Sequence, residues 1–123
     1  MVLLDADIIL FLRDPVWGER LAKKMDNIRL ATCNAVVAEV LSLGALDKSD
    51  AFYFTELFAA MNNLPFDEEV TKHTVEIRRA HTIPLPEAIV AGTAVANDVA
   101  LWTHRGAHFK GIRRLQLLDP LAV

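Results

Sequence analysis

Cysteine is almost absent from the 123 residues: Cys33 is the only one. That rules out an internal disulfide and any zinc site built on cysteines, and it fits a reducing compartment. A basic surplus is missing as well. The net charge is -3, so the chain as a whole is not a generic binder of polyanions, and contact with a nucleic acid would need a local patch. No apolar stretch reaches the roughly 18 residues that a membrane-spanning helix needs, and the N-terminus lacks the basic start and long apolar core of a signal peptide. Internal repeats, low-complexity tracts and linkers are absent too. The expectation is one domain over residues 1–123, soluble and cytoplasmic, with no membrane contact.

What is present is apolar: 53% of the residues are hydrophobic, which excludes disorder and suits a sheet buried on both faces. "MVLLD" reads as a short buried strand bounded by an acid. "ADIILFLRD" and "PVWGERLAKKMDN" read as helices broken near Asp14-Pro15, because a residue before proline disfavours helix. "IRLAT" is a second strand. "NAVVAEVLSLGAL" has helical spacing and closes near Gly44, and "KSDAFYFTELFAAMNN" is a helix with Ser49 as N-cap and Asn62-Asn63 at its end. "LPF" is expected to form a third strand. "DEEVTKHTVEIRRAH" begins with acids and ends with bases, the order a helix dipole favours. "PEAIVAGTAVAND" is a helix of small residues with proline in its first turn, and "VALWT" and "LQLL" are the last strands. Strands alternating with helices predict an α/β fold: a three-layer α/β/α sandwich around a mostly parallel five-stranded sheet. Sites in such folds form at the carboxyl ends of the strands, where Asp5 and Thr103 fall.

Three acids stand in apolar or small surroundings: Asp5 in "LLDAD", Glu39 in "VVAEVLSLG" and Glu87 in "PLPEAIVAGTA". Each has an ordinary explanation: a cap for the helix after the strand, a solvent-facing helix position, an acid favoured by the dipole of a first turn. Taken together they suggest another. Carboxylates that converge without matching lysines repel one another unless a cation lies between them. Oxygen donors of this kind suit Mg²⁺ or Mn²⁺, ions that activate water and stabilise charge on a phosphate.

With those residues in view, the chain resembles the PIN domains, and among them the small VapC-type toxins. The likeness rests on "LLDADIILFLR", on "NAVVAEVLSLGAL", on "IPLPEAIVAGTAVANDVALWTHRGAHF" and on the closing "LQLLDP". It implies a metal-dependent endoribonuclease, the toxin of a type II toxin–antitoxin pair, with an RNA substrate, a cognate antitoxin protein and a homodimer. By position, Asp5 matches the first metal-binding acid and Glu39 the second, while Glu87 stands where the family usually has aspartate. Thr103 matches the small hydroxyl residue of the family's "TRN" motif. Asp7 takes a position that often holds asparagine and has a supporting role, and His108, before Phe109, occupies the place of a fourth acid.

Two departures bear on the chemistry. Glu87 is one methylene longer than aspartate, roughly 1.5 Å of extra reach. "THRG" replaces "TRN", which puts Arg105 where the family has asparagine. With His108 in the place of an acid as well, the Glu87 and His108 changes give a second reading that keeps the fold and lessens the chemistry: a catalytically weakened module that acts mainly by binding an antitoxin or RNA.

The stretch from Val99 to Val123 carries Arg105, Lys110, Arg113 and Arg114 against Asp119 alone. It reads either as a solvated loop or as a patch for RNA phosphates, with Arg105 and Lys110 the candidates to hold the backbone. His104 and His108 are four apart in a loop and do not have helical zinc spacing, and His73 and His81 read as helix-surface residues. Trp17, Phe52, Tyr53, Phe54 and Phe58 suit a core, a dimer face or an antitoxin groove. "LLDADII" also matches the start of haloacid-dehalogenase-like phosphatases, but "VALWTHRG" lacks the acid pair those enzymes need.

Overall fold

Five short segments, four of them apolar, line up in the order β3-β2-β1-β4-β5, and every pairing is parallel. The computed structural model describes residues 1–122. Its strands are β1 (Val2–Leu4), β2 (Leu30–Thr32), β3 (Asn62–Asn63), β4 (Ala100–Trp102) and β5 (Leu117–Leu118). Its helices are α1 (Ala6–Phe11), α2 (Gly18–Lys24), α3 (Asn34–Leu41), α4 (Lys48–Ala60), α5 (Glu68–Ala80) and α6 (Leu85–Asn97). A 3₁₀ turn follows β4 over Gly106–Phe109. The expected α/β/α sandwich is the observed fold, with a sheet that is parallel throughout. No helix among the described residues is long and apolar enough to cross a membrane.

The central strand explains the apolar run at the N-terminus. β1 lies between β2 and β4, so Leu3 and Leu4 meet helices rather than water and are fully buried. Ile8 and Ile9 of α1, Val36 and Val40 of α3, Phe54 of α4 and Leu101 of β4 complete the core around them. Of the aromatics read as core or interface, Phe54 and Phe58 are buried, Trp17 and Tyr53 pack against the core's edge, and Phe52 is 70% exposed. Cys33 is buried at the start of α3, and burial pushes its thiol pKa up.

Three local expectations change. α4 is capped by Asp47, whose carboxylate accepts from the Asp50 N–H at 2.7 Å, instead of by Ser49 two residues later. The third strand is Asn62–Asn63, not "LPF": these asparagines pair with Ala31 and Thr32 and leave α4 to end at Ala60. The second helix begins only at Gly18, because Asp14 accepts from the Val16 and Trp17 N–H groups and holds a turn around Pro15.

Helix α6 runs through the interior. Ala88, Ala91 and Ala94 are buried along it, and a Cβ built on Gly92 would lie 2.5 Å from Thr74 Oγ1 and 3.0 Å from the Thr74 backbone nitrogen. Small side chains let α5 and α6 touch backbone to backbone. That seam fixes where the first turn of α6, and with it Glu87, stands at the edge of the sheet.

Candidate active site

β1 and β4 are neighbours in register, Leu4 opposite Trp102, so the residues just beyond them, Asp5 and Thr103, are brought side by side at the carboxyl edge of the sheet. Asp5 is fully buried, and every direction around its carboxylate is used. Oδ1 accepts from the Ala6 N–H at 2.8 Å, which also caps α1, and Oδ2 accepts from Thr103 Oγ1 at 2.7 Å. The rest of its charge is met by Arg105. Nε donates to Oδ2 at 3.1 Å and Nη2 to Oδ1 at 3.0 Å, a two-pronged pair.

The same guanidinium reaches two further acids. Nη1 donates to Glu87 Oε1 at 3.2 Å, and Nη2 lies 3.4 Å from Glu39 Oε2. Glu39 comes from α3, where Val36 and Val40 face the core; it sits on the flank of that face and leans over the rim, its side chain 37% exposed. Glu87 comes from the first turn of α6, where its own side chain is buried while Leu85 before it is exposed. The three acids singled out in the sequence thus meet in space, around one cation that belongs to the chain. Hydrogen bonding to Asp5 outweighs burial and drives the basicity of Arg105 up, so the guanidinium stays charged.

Arg105 was expected to face RNA phosphates. It faces the acids because the loop after β4 is held from two sides. Asp7 Oδ2 accepts from the His104 N–H at 2.9 Å, and Thr103 Oγ1 accepts from the Arg105 N–H at 3.1 Å. Those bonds turn the next side chain back across the strand ends. Asp7 itself is only half-buried and does not bond to Arg105; its Oδ1 accepts from the Ile8 N–H at 2.7 Å. Burial, and after it the charge of Asp5, raises its pKa. Lys110 is exposed beyond the 3₁₀ turn, and the His108 ring stands 4.0 Å from Glu87 Oε1, out of hydrogen-bond reach.

Sequence reasoning overlooked one further part. His104 Nδ1 lies 2.9 Å from Asp119 Oδ2, and its ring meets Phe11 edge-on with centroids 5.6 Å apart. This clasp ties the loop to the segment after β5. The signal was Asp119, the lone acid in a basic stretch.

The donors fit a hard divalent cation in kind. They are all oxygens, and Glu87 Oε2 is buried with no hydrogen-bond partner. Their spacing is that of the guanidinium: among the described residues no three His, Cys, Asp or Glu side chains close on a common point.

A family model described as PIN domain matches residues 2–115. No curated protein sequence matches. Among solved structures, a chain of a toxin–antitoxin complex from Klebsiella pneumoniae superposes with a TM-score of 0.81 at 19% identity, covering 100% of each chain. A chain of DNA-bound VapBC from Salmonella typhimurium gives 0.82 at 15% identity, covering 98% of this chain and 99% of that one. A chain of VapBC-1 from nontypeable Haemophilus influenzae gives 0.76 at 24% identity, with 99% and 100% covered. Identities this low speak to the fold alone.

Proposed function

The chain belongs to the PIN domain family, and from that membership we propose that it is a divalent-metal-dependent endoribonuclease, the toxin of a pair whose partner is an antitoxin protein. The observation that carries this reading is the gathering of Asp5, Glu39 and Glu87 at the carboxyl edge of a parallel sheet, each within 3.4 Å of one guanidinium. Chains of the same fold are found in toxin–antitoxin complexes, which supports an antitoxin as the partner. Phe52, exposed on α4, offers apolar surface for an antitoxin or for a second copy in a homodimer.

Asp5, Glu39 and Glu87 would hold Mg²⁺ or Mn²⁺, which supplies an activated water and stabilises charge on the phosphate when bound. Thr103 keeps the Asp5 carboxylate in one orientation. Asp7 and Asp119 hold the loop after β4 on either side of His104. Lys110 is exposed and free to steer the RNA backbone. The reaction is hydrolysis of a phosphodiester bond in RNA.

The test is cleavage of RNA by the purified protein with Mn²⁺, beside Asp5→Asn and Glu87→Asp. Wild type is expected to cut, and Asp5→Asn to lose about 100-fold or more of the rate, since it removes a charge the transition state would rely on. Unchanged cleavage by Asp5→Asn would sink the site. One observation favours the weakened module: a histidine stands in place of the fourth acid while Arg105 fills the space between the other three. Cleavage by Glu87→Asp with none by wild type would decide for that reading.

A further inference from the structure

We infer that Arg105 is a built-in counter-ion that competes with the divalent cation for Asp5, Glu39 and Glu87, so that the chain must move its own arginine before the metal can bind. This rests on the proposed metal-dependent site and concerns how that site is kept closed.

Both oxygens of Asp5 are engaged by the guanidinium, and Nη2 is shared between Asp5 and Glu39. A divalent ion held by those oxygens would need the lone pairs that the guanidinium now occupies, since Asp5 Oδ1 already accepts from the Ala6 N–H and Nη2, and Oδ2 from Thr103 Oγ1 and Nε. The two cations therefore compete for the same oxygens. Charge holds the arrangement together: three acids meet around one guanidinium, which relieves part of their mutual repulsion. It also leaves them undersatisfied, with Glu87 Oε2 buried and without a partner. The arginine is thus adequate as a stand-in and poorer than an ion that could engage every oxygen.

A way out exists. A quarter of the Arg105 side chain is exposed, and the next residue, Gly106, has open space where a Cβ would be. The guanidinium cannot leave by losing its proton, because an arginine side chain stays charged in a protein. Only exchange against another cation, or against an anion that draws it outward, frees the acids.

Binding of Mn²⁺ alone, followed by calorimetry, and melting temperature with and without Mn²⁺ test this on wild type, Arg105→Gln and Arg105→Ala, with Asp5→Asn as the control that loses the site. Arg105→Gln keeps length and polarity in case the alanine variant folds poorly without metal. The expected result is that both variants bind Mn²⁺ at least tenfold more tightly than wild type. Both should melt lower than wild type without metal and gain more from its addition. Equal affinity across wild type and both variants overturns the inference and leaves the nuclease reading standing. No binding by any form overturns the inference and the metal-dependent reading together. Tighter binding by the variants with no RNA cleavage by any form upholds the inference and removes the nuclease reading.

Discussion

Helix α6 meets two kinds of neighbour within three turns. Along its middle, Gly92 lies against Thr74 so closely that a single added carbon has no room. At its first turn, Glu87 stands among Arg105, Asp5 and Glu39, held by charge with one oxygen unpaired. The seam between α5 and α6 is bound by shape and cannot adjust. The acidic edge is bound by balance, three carboxylates sharing one guanidinium. The rigid seam delivers Glu87 to one spot, where charge alone decides what its carboxylate meets.

The strongest way to break that contrast is Gly92→Ala. The new methyl would press on the backbone of Thr74 as well as on its hydroxyl, so α5 and α6 must separate, at a cost of about 2–3 kcal/mol. Denaturant melts should register it, and adding Thr74→Ala should recover only part, since the backbone contacts remain. On the other side, Thr103→Val removes the 2.7 Å bond to Asp5 and the acceptor for the Arg105 N–H. A loss of about 1–2 kcal/mol is expected, with Thr103→Ser close to wild type.

The smallest effect should have the opposite sign. Burial and the Asp5 charge raise the pKa of Asp7, so the wild-type fold loses stability as pH rises through that raised range. Asp7→Asn keeps an acceptor for the His104 N–H and removes the charge. Its gain in stability should be present at pH 7 and vanish in acid, where Asp7 is protonated in wild type as well. Melts of the two proteins from pH 3 to pH 7 would check this. A gain that persisted in acid would locate the effect elsewhere.

The parallel sheet, the helices and the three acids were legible because each leaves a local trace, while the order of the strands leaves none. Apolar triplets ending in Asp5 or Thr103, and acids interrupting apolar helices, are patterns of neighbouring residues. The orientation of Arg105 left none. It depends on Asp7 holding His104 from 97 positions away and on Asp5 holding Arg105 from 100, and a base in a loop otherwise reads as surface. β3 was misplaced for a milder reason. Asparagine is a poor strand former, and Asn62–Asn63 are recruited by β2, with Leu64 still donating to the Thr32 carbonyl at 2.8 Å.

The Asp5–Arg105 pair joins points 100 residues apart, across the central strand and the fourth to be made. A contact of that span requires closure of nearly the whole chain and is expected to form late in folding. Asp5, Glu39 and Glu87 all precede Arg105 in the chain, and the segment that carries their counter-ion joins the sheet beside β1. Thr103→Val should then speed unfolding and leave the folding rate nearly unchanged.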